Sequence, residues 1–238
     1  MSKMPWLYCP TLVEHDQIEL PPAELRHLVG SHRRRAGESL VLFDGAGAIA
    51  VAEVRELVRR PLRGWVEIVS REIYPMPGRR IHLASALPKG ERQGLLLDLA
   101  TQFGITDFTP LDCVRSVARS GAVGYQRWQR ILIESCKQCH RPWLPSLHAN
   151  CPPNTFLSRN ISSYGAVLLA DVNGQPSREV DLDIIGAASL LLIVGPEGGF
   201  TVAERDSLLE SGALPICLAA TNLRIEAAAV ALVAMAVR

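Results

Sequence analysis

Residues Leu191–Phe200 read LLIVGPEGGF and run directly into Thr201-Val202-Ala203-Glu204. The apolar run from Ser189 to Val194 is what a strand buried on both faces of a parallel sheet requires. Gly-Pro-Glu-Gly-Gly breaks it. Thr201 with Glu204 three residues later is a capping-box pattern, which predicts a helix over 201–211. In parallel α/β sheets, ligands bind at the carboxyl ends of strands, so this loop is where a site belongs. Its glycines let backbone groups approach a ligand closely. The segment lacks the Gly-Lys-Ser/Thr ending of a P-loop and the spacing of a dinucleotide fingerprint. Composition alone favours the plainer reading, a tight strand-to-helix turn.

Outward from this segment, strands and helices alternate. Ile81–Leu87, Thr106–Leu111, Ala166–Ala170 and Leu214–Leu218 read as strands. Glu91–Phe103, Gln126–Cys139 and the alanine-rich Ile225–Val237 read as helices. The alternation predicts an α/β domain with a mainly parallel sheet over 79–238. Upstream the pattern differs. Ser39–Phe43 and Ile49–Val54 flank Asp44-Gly45-Ala46-Gly47, a hairpin signature, and Gly64–Val69 is a further short strand. A short helix is expected at 22–29. Residues 1–73 thus read as a small β-barrel module, joined to the rest through the proline- and glycine-rich Tyr74–Gly78.

The chain has 238 residues with a formal net charge of +1, so bulk charge does not announce a nucleic-acid partner. Its distribution does more, because Arg33, Arg34 and Arg35 follow His32, with Arg26 and His27 just upstream. Such local patches hold phosphates even in a near-neutral protein, although a solvated charged turn is the plainer reading of any one arginine. The N-terminus shows no apolar signal segment and no run is long enough to span a membrane, so the protein is expected in the cytoplasm with its six cysteines reduced. Cys136-Lys137-Gln138-Cys139-His140 has the spacing of a c-type haem attachment site, which needs an exported context; a structural helix end is favoured, and no metal is expected. No nucleophile elbow occurs, and His15, His82 and His148 read as ordinary turn or surface residues.

VGPEGGF after an apolar strand, followed by a strand containing ICL and then by LRIEAA at residues 223–228, resembles the knotted SPOUT methyltransferase superfamily. Within it the chain is similar to the 16S ribosomal RNA uracil-N3 methyltransferase family. Arg26-His27-Leu28 through Arg33 to Phe43-Asp44-Gly45 resembles that family's N-terminal barrel signature, and Leu87-Pro88-Lys89-Gly90-Glu91-Arg92 its lysine motif. Phe103-Gly104-Ile105, Thr109-Pro110-Leu111, Arg115-Ser116, Arg127-Trp128, Ile131, Gln138, Arg141 and Pro145 follow in the same order. The chain departs where the family has a Gly-Pro-Arg turn and Arg-Thr-Glu-Thr: here stand Ala219-Ala220-Thr221-Asn222 and Arg224-Ile225-Glu226-Ala227.

The resemblance implies a PUA-like β-barrel followed by a trefoil-knotted domain. It implies S-adenosylmethionine as cofactor, a homodimer, and 16S rRNA of the small ribosomal subunit as partner. The implied reaction methylates N3 of a uridine, uridine 1498 in the family. The cofactor would be held by Val194, Gly195, Pro196, Glu197, Gly198 and Gly199, and by Leu218, Ala219, Thr221, Asn222 and Leu223. Arg224 would stabilise the uridinate, with Glu226 orienting it or removing the proton. Arg26, Arg33, Arg34, Lys89, Arg92, Arg115 and Arg141 would grip RNA phosphates. Two further readings stay open because of the departures at 219–227: a non-catalytic RNA-binding or ribosome-assembly protein, and a methyltransferase for another RNA position.

Overall fold

The computed structural model describes residues 4–30, 35–118 and 122–237, together with the side chains of all of these except 27, 122, 123, 157–160 and 182. Contacts divide the chain into two units, Met1–Met76 with Cys136–Leu144, and Pro77–Ser135 with Pro145–Arg238. No described helix is long and apolar enough to cross a membrane.

The first unit contains β1 (Trp6–Tyr8), β2 (Gln17–Glu19), α1 (Pro22–Gly30), β3 (Ser39–Phe43), β4 (Ala48–Arg59) and β5 (Leu62–Ile73). They form a five-stranded sheet in the order β1-β3-β4-β5-β2, antiparallel except where β1 runs alongside β3. Along β4 the side chains of Ala48, Ala50, Ala52 and Val54 are buried while those between are not, the period of two of a strand with one face on a core. The β3–β4 hairpin closes where expected. One carboxylate oxygen of Asp44 accepts from Ala46 N at 2.7 Å and Ala48 N at 2.9 Å, pinning the turn.

Residues 136–144 join this unit from far along the chain. Lys137 pairs with the buried Glu24 at 3.0 Å, and the Trp143 indole donates to Pro75 O at 3.0 Å. Gly47, at φ +103°, is where Trp143 settles: a Cβ there would lie 2.5 Å from the indole. The Cys-x-x-Cys-His stretch is the end of a helix and its exit. Cys136 is buried, with its thiol pushed up to about 12 by burial, and His140 stacks on Trp6.

The second unit holds β6 (Arg80–Ala86), α2 (Arg92–Phe103), β7 (Asp107–Leu111), α3 (Ala122–Cys139, to Ser135), β8 (Ser146–Leu147) and α4 (Pro153–Asn160). It continues with β9 (Ala166–Pro176), α5 (Leu182–Ile185), β10 (Ser189–Val194), α6 (Val202–Glu210), β11 (Leu214–Cys217) and α7 (Ile225–Ala236). Its six strands are all parallel, in the order β11-β9-β10-β6-β7-β8. The chain moves outward from β6 to β8 and then returns to build β9, β10 and β11 on the other side. The strand order therefore reverses between β6 and β10, and a crevice opens at such a switch point. Leu190, Leu191, Leu192, Ile193 and Val194 are all buried, as the unbroken apolar run requires. α7 packs on α2, β6 and β10 through Ile225, Ala229, Leu232 and Val233.

β9 departs from the expected strand at 166–170. Leu214 and Pro215 of β11 pair with Leu168 and Leu169, and then Ile216 and Cys217 pair with Gln175 and Pro176. Residues 170–174 bulge out of the ladder between them. Gly174 lies so close to the backbone of Pro215 and Ile216 that any Cβ would collide with it. α3 also begins earlier than its apolar spacing suggests, at Ala122.

Candidate functional site

The bulge of β9 and the loops after β10 and β11 enclose a cavity of about 430 Å³ at the carboxyl ends of three neighbouring strands. Each wall has a local cause. After β10, Gly195 lets the Phe200 ring pack where a Cβ would stand at 2.7 Å, and Gly199 turns the chain at φ +69° with its N–H on Pro196 O at 2.8 Å. α6 then starts on the predicted capping box. Glu204 N donates to Thr201 Oγ1 at 3.2 Å, and Glu204 Oε2 accepts from Thr201 N at 2.8 Å.

Burial alone would raise the Glu204 carboxyl, but hydrogen bonds from Thr201 and Val114 outweigh it and hold its pKa below the usual value. After β11, Cys217 Sγ donates to Ala219 O at 3.3 Å, and Arg224 occupies the N-cap of α7. The third wall is Ala170–Asn173 of the bulge. There Asp171 receives Arg205 Nε at 2.7 Å and Asn173 N at 2.9 Å.

Every loop residue singled out as cofactor-binding lines this one cavity: Val194 to Gly199, Leu218, Ala219, Thr221, Asn222 and Leu223. Sequence reasoning missed Asp171, Asn173 and Arg205, which line it too. Ala-Asp-Val-Asn-Gly after an apolar strand was a usable signal for the first two, since it is another polar, glycine-ended exit from the carboxyl end of a strand.

The RNA methyltransferase domain family matches residues 75–237. Ribosomal RNA small subunit methyltransferase E of Mycobacterium bovis is 34% identical over 218 residues, 89% of this chain and 82% of that protein. The chain belongs to the ribosomal RNA small subunit methyltransferase E family. A solved member from Neisseria gonorrhoeae, bound to S-adenosyl methionine, superposes with a TM-score of 0.85 at 26% identity, covering 98% of this chain and 96% of that one. A Legionella pneumophila protein solved with bound cofactor SAM gives 0.88, again at 26% identity, covering 98% and 97%.

The remaining residues expected to act in a methyltransferase E of this kind are placed unequally. Arg224 is exposed, between Leu223 and Ile225, which both line the cavity. Glu226 is buried in the first turn of α7; its Oε1 lies 3.6 Å from Arg92 Nη1, and its Oε2 has no hydrogen-bond partner among the described residues. Arg26 and Lys89 are exposed, whereas Arg92 is half-buried beside Glu226. Arg33 and Arg34 lie outside the described residues. Arg141 is half-buried, and burial lowers its pKa, a poor setting for a phosphate contact. Arg115 donates to two backbone carbonyls, Gly198 O at 2.9 Å and Phe200 O at 3.3 Å.

Among the described residues, one trio has metal-ligating atoms close together: His82, Asp107 and His148, within 4.8 Å of one another. It lies toward the amino ends of β6 and β7, away from the cavity. His82 is 2% exposed, which corrects its reading as a turn or surface residue. The trio's atoms are committed to hydrogen bonds. His82 bonds Tyr164 and Thr109, and Asp107 accepts from both arms of Arg80, from Thr106 and from His148. Burial holds the His82 imidazole neutral, its pKa down to about 3. Burial would raise the Asp107 carboxyl, but the bonds from His148, Arg80 and Thr106 prevail and keep it well below the usual range. A guanidinium on the only carboxylate also opposes a cation. The trio is a hydrogen-bond network.

Proposed function

We propose that this protein transfers a methyl group from S-adenosylmethionine to N3 of a uridine in 16S ribosomal RNA. The observation that carries the reading is the convergence of the loops at 194–199 and 218–223 on one cavity, in a chain of this family. The cavity suits the cofactor chemically. Its volume of about 430 Å³ falls in the range of small-molecule sites, roughly 300–1,000 Å³. Val194, Leu218, Leu223 and Ile225 offer apolar surface for a purine ring. Asp171 and Glu197 offer carboxylates for hydroxyl and ammonium groups, and the glycine loop offers backbone donors and acceptors.

Bound there, the cofactor supplies an electrophilic methyl carbon for in-line displacement by a nitrogen. The protein's own part is positioning and charge control. N3 of uridine must lose its proton, and the ring then carries negative charge. Arg224, exposed beside the cavity, would stabilise that charge. Glu226, with one oxygen unpartnered among the described residues, would accept the proton or hold Arg224 in place. Arg26 and Lys89, together with Arg33 and Arg34, would contact phosphates, and the target base must leave its stack to be reached.

The N-terminal five-stranded sheet and its helix fit a PUA-like RNA-binding module over 1–73. The strand order of the second unit fits a knotted domain over 79–238, one of the rare exceptions to unknotted topology. The homodimer belongs to this reading, as does the cytoplasm, where ribosomal RNA is at hand.

Calorimetry with S-adenosylmethionine tests the cofactor. Saturable binding is expected, and its absence with RNA binding intact sinks the enzyme in favour of an RNA-binding paralogue. Nucleotide mapping of rRNA from a deletion strain tests the target. Loss of N3-methyluridine is expected; an unchanged level with another methyl group missing reassigns the position.

A further inference from the structure

The turn after β7 and the loop after β10 are tied together twice, in opposite senses. Cys113 N donates to Ser116 Oγ at 3.1 Å and Ser116 N to Cys113 O at 3.0 Å, closing a turn that presents Val114 and Arg115. From this turn, Arg115 Nη1 donates to Gly198 O at 2.9 Å and Phe200 O at 3.3 Å. From the other side, the buried carboxylate of Glu204 accepts Val114 N at 2.9 Å with one oxygen, while its other oxygen holds Thr201 N. A cation on the first segment thus satisfies carbonyls of the second, and a carboxylate on the second satisfies an amide of the first. β6 lies between β7 and β10, so the ties bridge across it at the carboxyl edge of the sheet.

The two carbonyls that Arg115 engages flank Gly199, the residue of this loop at positive φ, where glycine's backbone freedom is used. Without Arg115 both carbonyls would turn to water, leaving the bond from Gly199 N to Pro196 O at 2.8 Å to hold this turn from the other side. Gly198, Gly199 and Phe200 all line the cavity, so such a change would alter its wall.

We propose that Arg115 is a positioning residue: it holds the Gly195–Phe200 loop in the conformation that receives the cofactor, with Glu204 as the second tie, and it is not a phosphate contact. The inference rests on the reading of the cavity as the S-adenosylmethionine site. It acts through the population of loop conformers. If losing Arg115 leaves the receptive conformer about a tenth of the time, apparent cofactor affinity falls about tenfold with no contact to the cofactor removed.

The experiment compares wild type, Arg115→Ala and Arg115→Lys. Amide exchange of Gly198–Glu204 in the ligand-free protein should quicken in Arg115→Ala; unchanged exchange there overturns the inference whatever the cofactor does. Calorimetry should show S-adenosylmethionine Kd up about tenfold in Arg115→Ala and partly recovered in Arg115→Lys, whose ammonium keeps donors but loses reach. KM for the cofactor should rise while kcat at saturation stays within about twofold, the split expected of lost preorganisation. The salt slope of RNA binding should not change. An unchanged cofactor Kd, with that slope reduced by about one, makes Arg115 a phosphate contact and overturns the proposal. Wild-type protein that binds no S-adenosylmethionine removes the functional reading, and the cofactor role of Arg115 with it.

Discussion

Arg92 Nη1 stands 3.6 Å from Glu226 Oε1 and joins the first residue of α2 to the first turn of α7. The sequence assigned these residues to different tasks, one to RNA phosphates and one to the proton. Their pairing leaves Glu226 buried beside the Arg92 guanidinium, with one oxygen that has no hydrogen-bond partner among the described residues. Leaving a carboxylate in that state is costly unless something else completes it. Under the proposed reaction, Glu226→Gln keeps shape but not charge or basicity, so kcat should fall about 100-fold with cofactor Kd within about twofold. Single-turnover methyl transfer to small-subunit RNA measures it; turnover at the wild-type rate would remove Glu226 from the chemistry.

Arg224 makes a cleaner test because it is exposed at an N-cap and its side chain holds no cap hydrogen bond. Arg224→Ala should leave the melting temperature nearly unchanged. It should lower kcat by about 10² to 10³ through lost charge stabilisation while cofactor binding persists. Equal losses in cofactor affinity and turnover would show that it only shapes the cavity.

The bulge of β9 depends on a residue with no side chain. Gly174→Ala forces a Cβ to within 2.4 Å of the backbone of Pro215 and Ile216, so β9 or β11 must shift. A loss of about 1–3 kcal/mol is expected from such overpacking, read as a lower urea midpoint at unchanged m-value. Because Asp171 and Asn173 ride on the same bulge, S-adenosylmethionine binding should weaken in the folded variant. Wild-type stability would mean that the ladder shifts register freely.

His82 gives the fold a defined acid sensitivity. Its pKa is 6.5 when unfolded and about 3 in the fold, so between those values the unfolded chain binds a proton that the native imidazole refuses. Stability therefore rises with pH across this window: the contribution is full above about pH 6.5 and is lost progressively toward pH 3. Asp107, whose folded pKa is depressed, adds a loss only at lower pH, below its ordinary 3.8. Urea midpoints at pH 7 and pH 4.5 should differ more for wild type than for His82→Gln, which has no proton to gain. Equal differences would place the acid sensitivity elsewhere.

Much of the scaffold was legible because its signals are local. A run of apolar residues, a glycine loop and Thr201 with Glu204 are read within a dozen positions, and each produced the element expected. Asp44 and the glycines after it did the same for the β3–β4 hairpin. Elements without a periodic pattern escaped notice: β1 and β2 have three residues each and owe their strand geometry to β3 and β5 alone. The bulge of β9 escaped for a related reason. Ala-Asp-Val-Asn-Gly reads as the end of a strand unless β11 is present to resume the ladder beyond it. His82 carries no mark of burial in sequence; a buried imidazole is recognisable only once Tyr164 and Thr109 are beside it.

In LLIVGPEGGF and the residues after it, a buried strand, a loop and a capped helix can be read from the residues alone, since hydrophobicity, backbone freedom and capping act between near neighbours. Family membership is likewise readable there, through motifs kept in order along the chain. How that loop is held follows from contacts between segments far apart in the chain. Arg115 and Gly198 are 83 positions apart, and which carbonyl a guanidinium finds depends on strand order, which no local pattern encodes. The same holds for Asp171 with Arg205 and for Arg92 with Glu226. Arg92 and Arg115, which a linear reading leaves free for RNA, are in the fold already engaged, by Glu226 and by the carbonyls of Gly198 and Phe200, because parallel strands bring their carboxyl ends, and whatever follows them, to one edge.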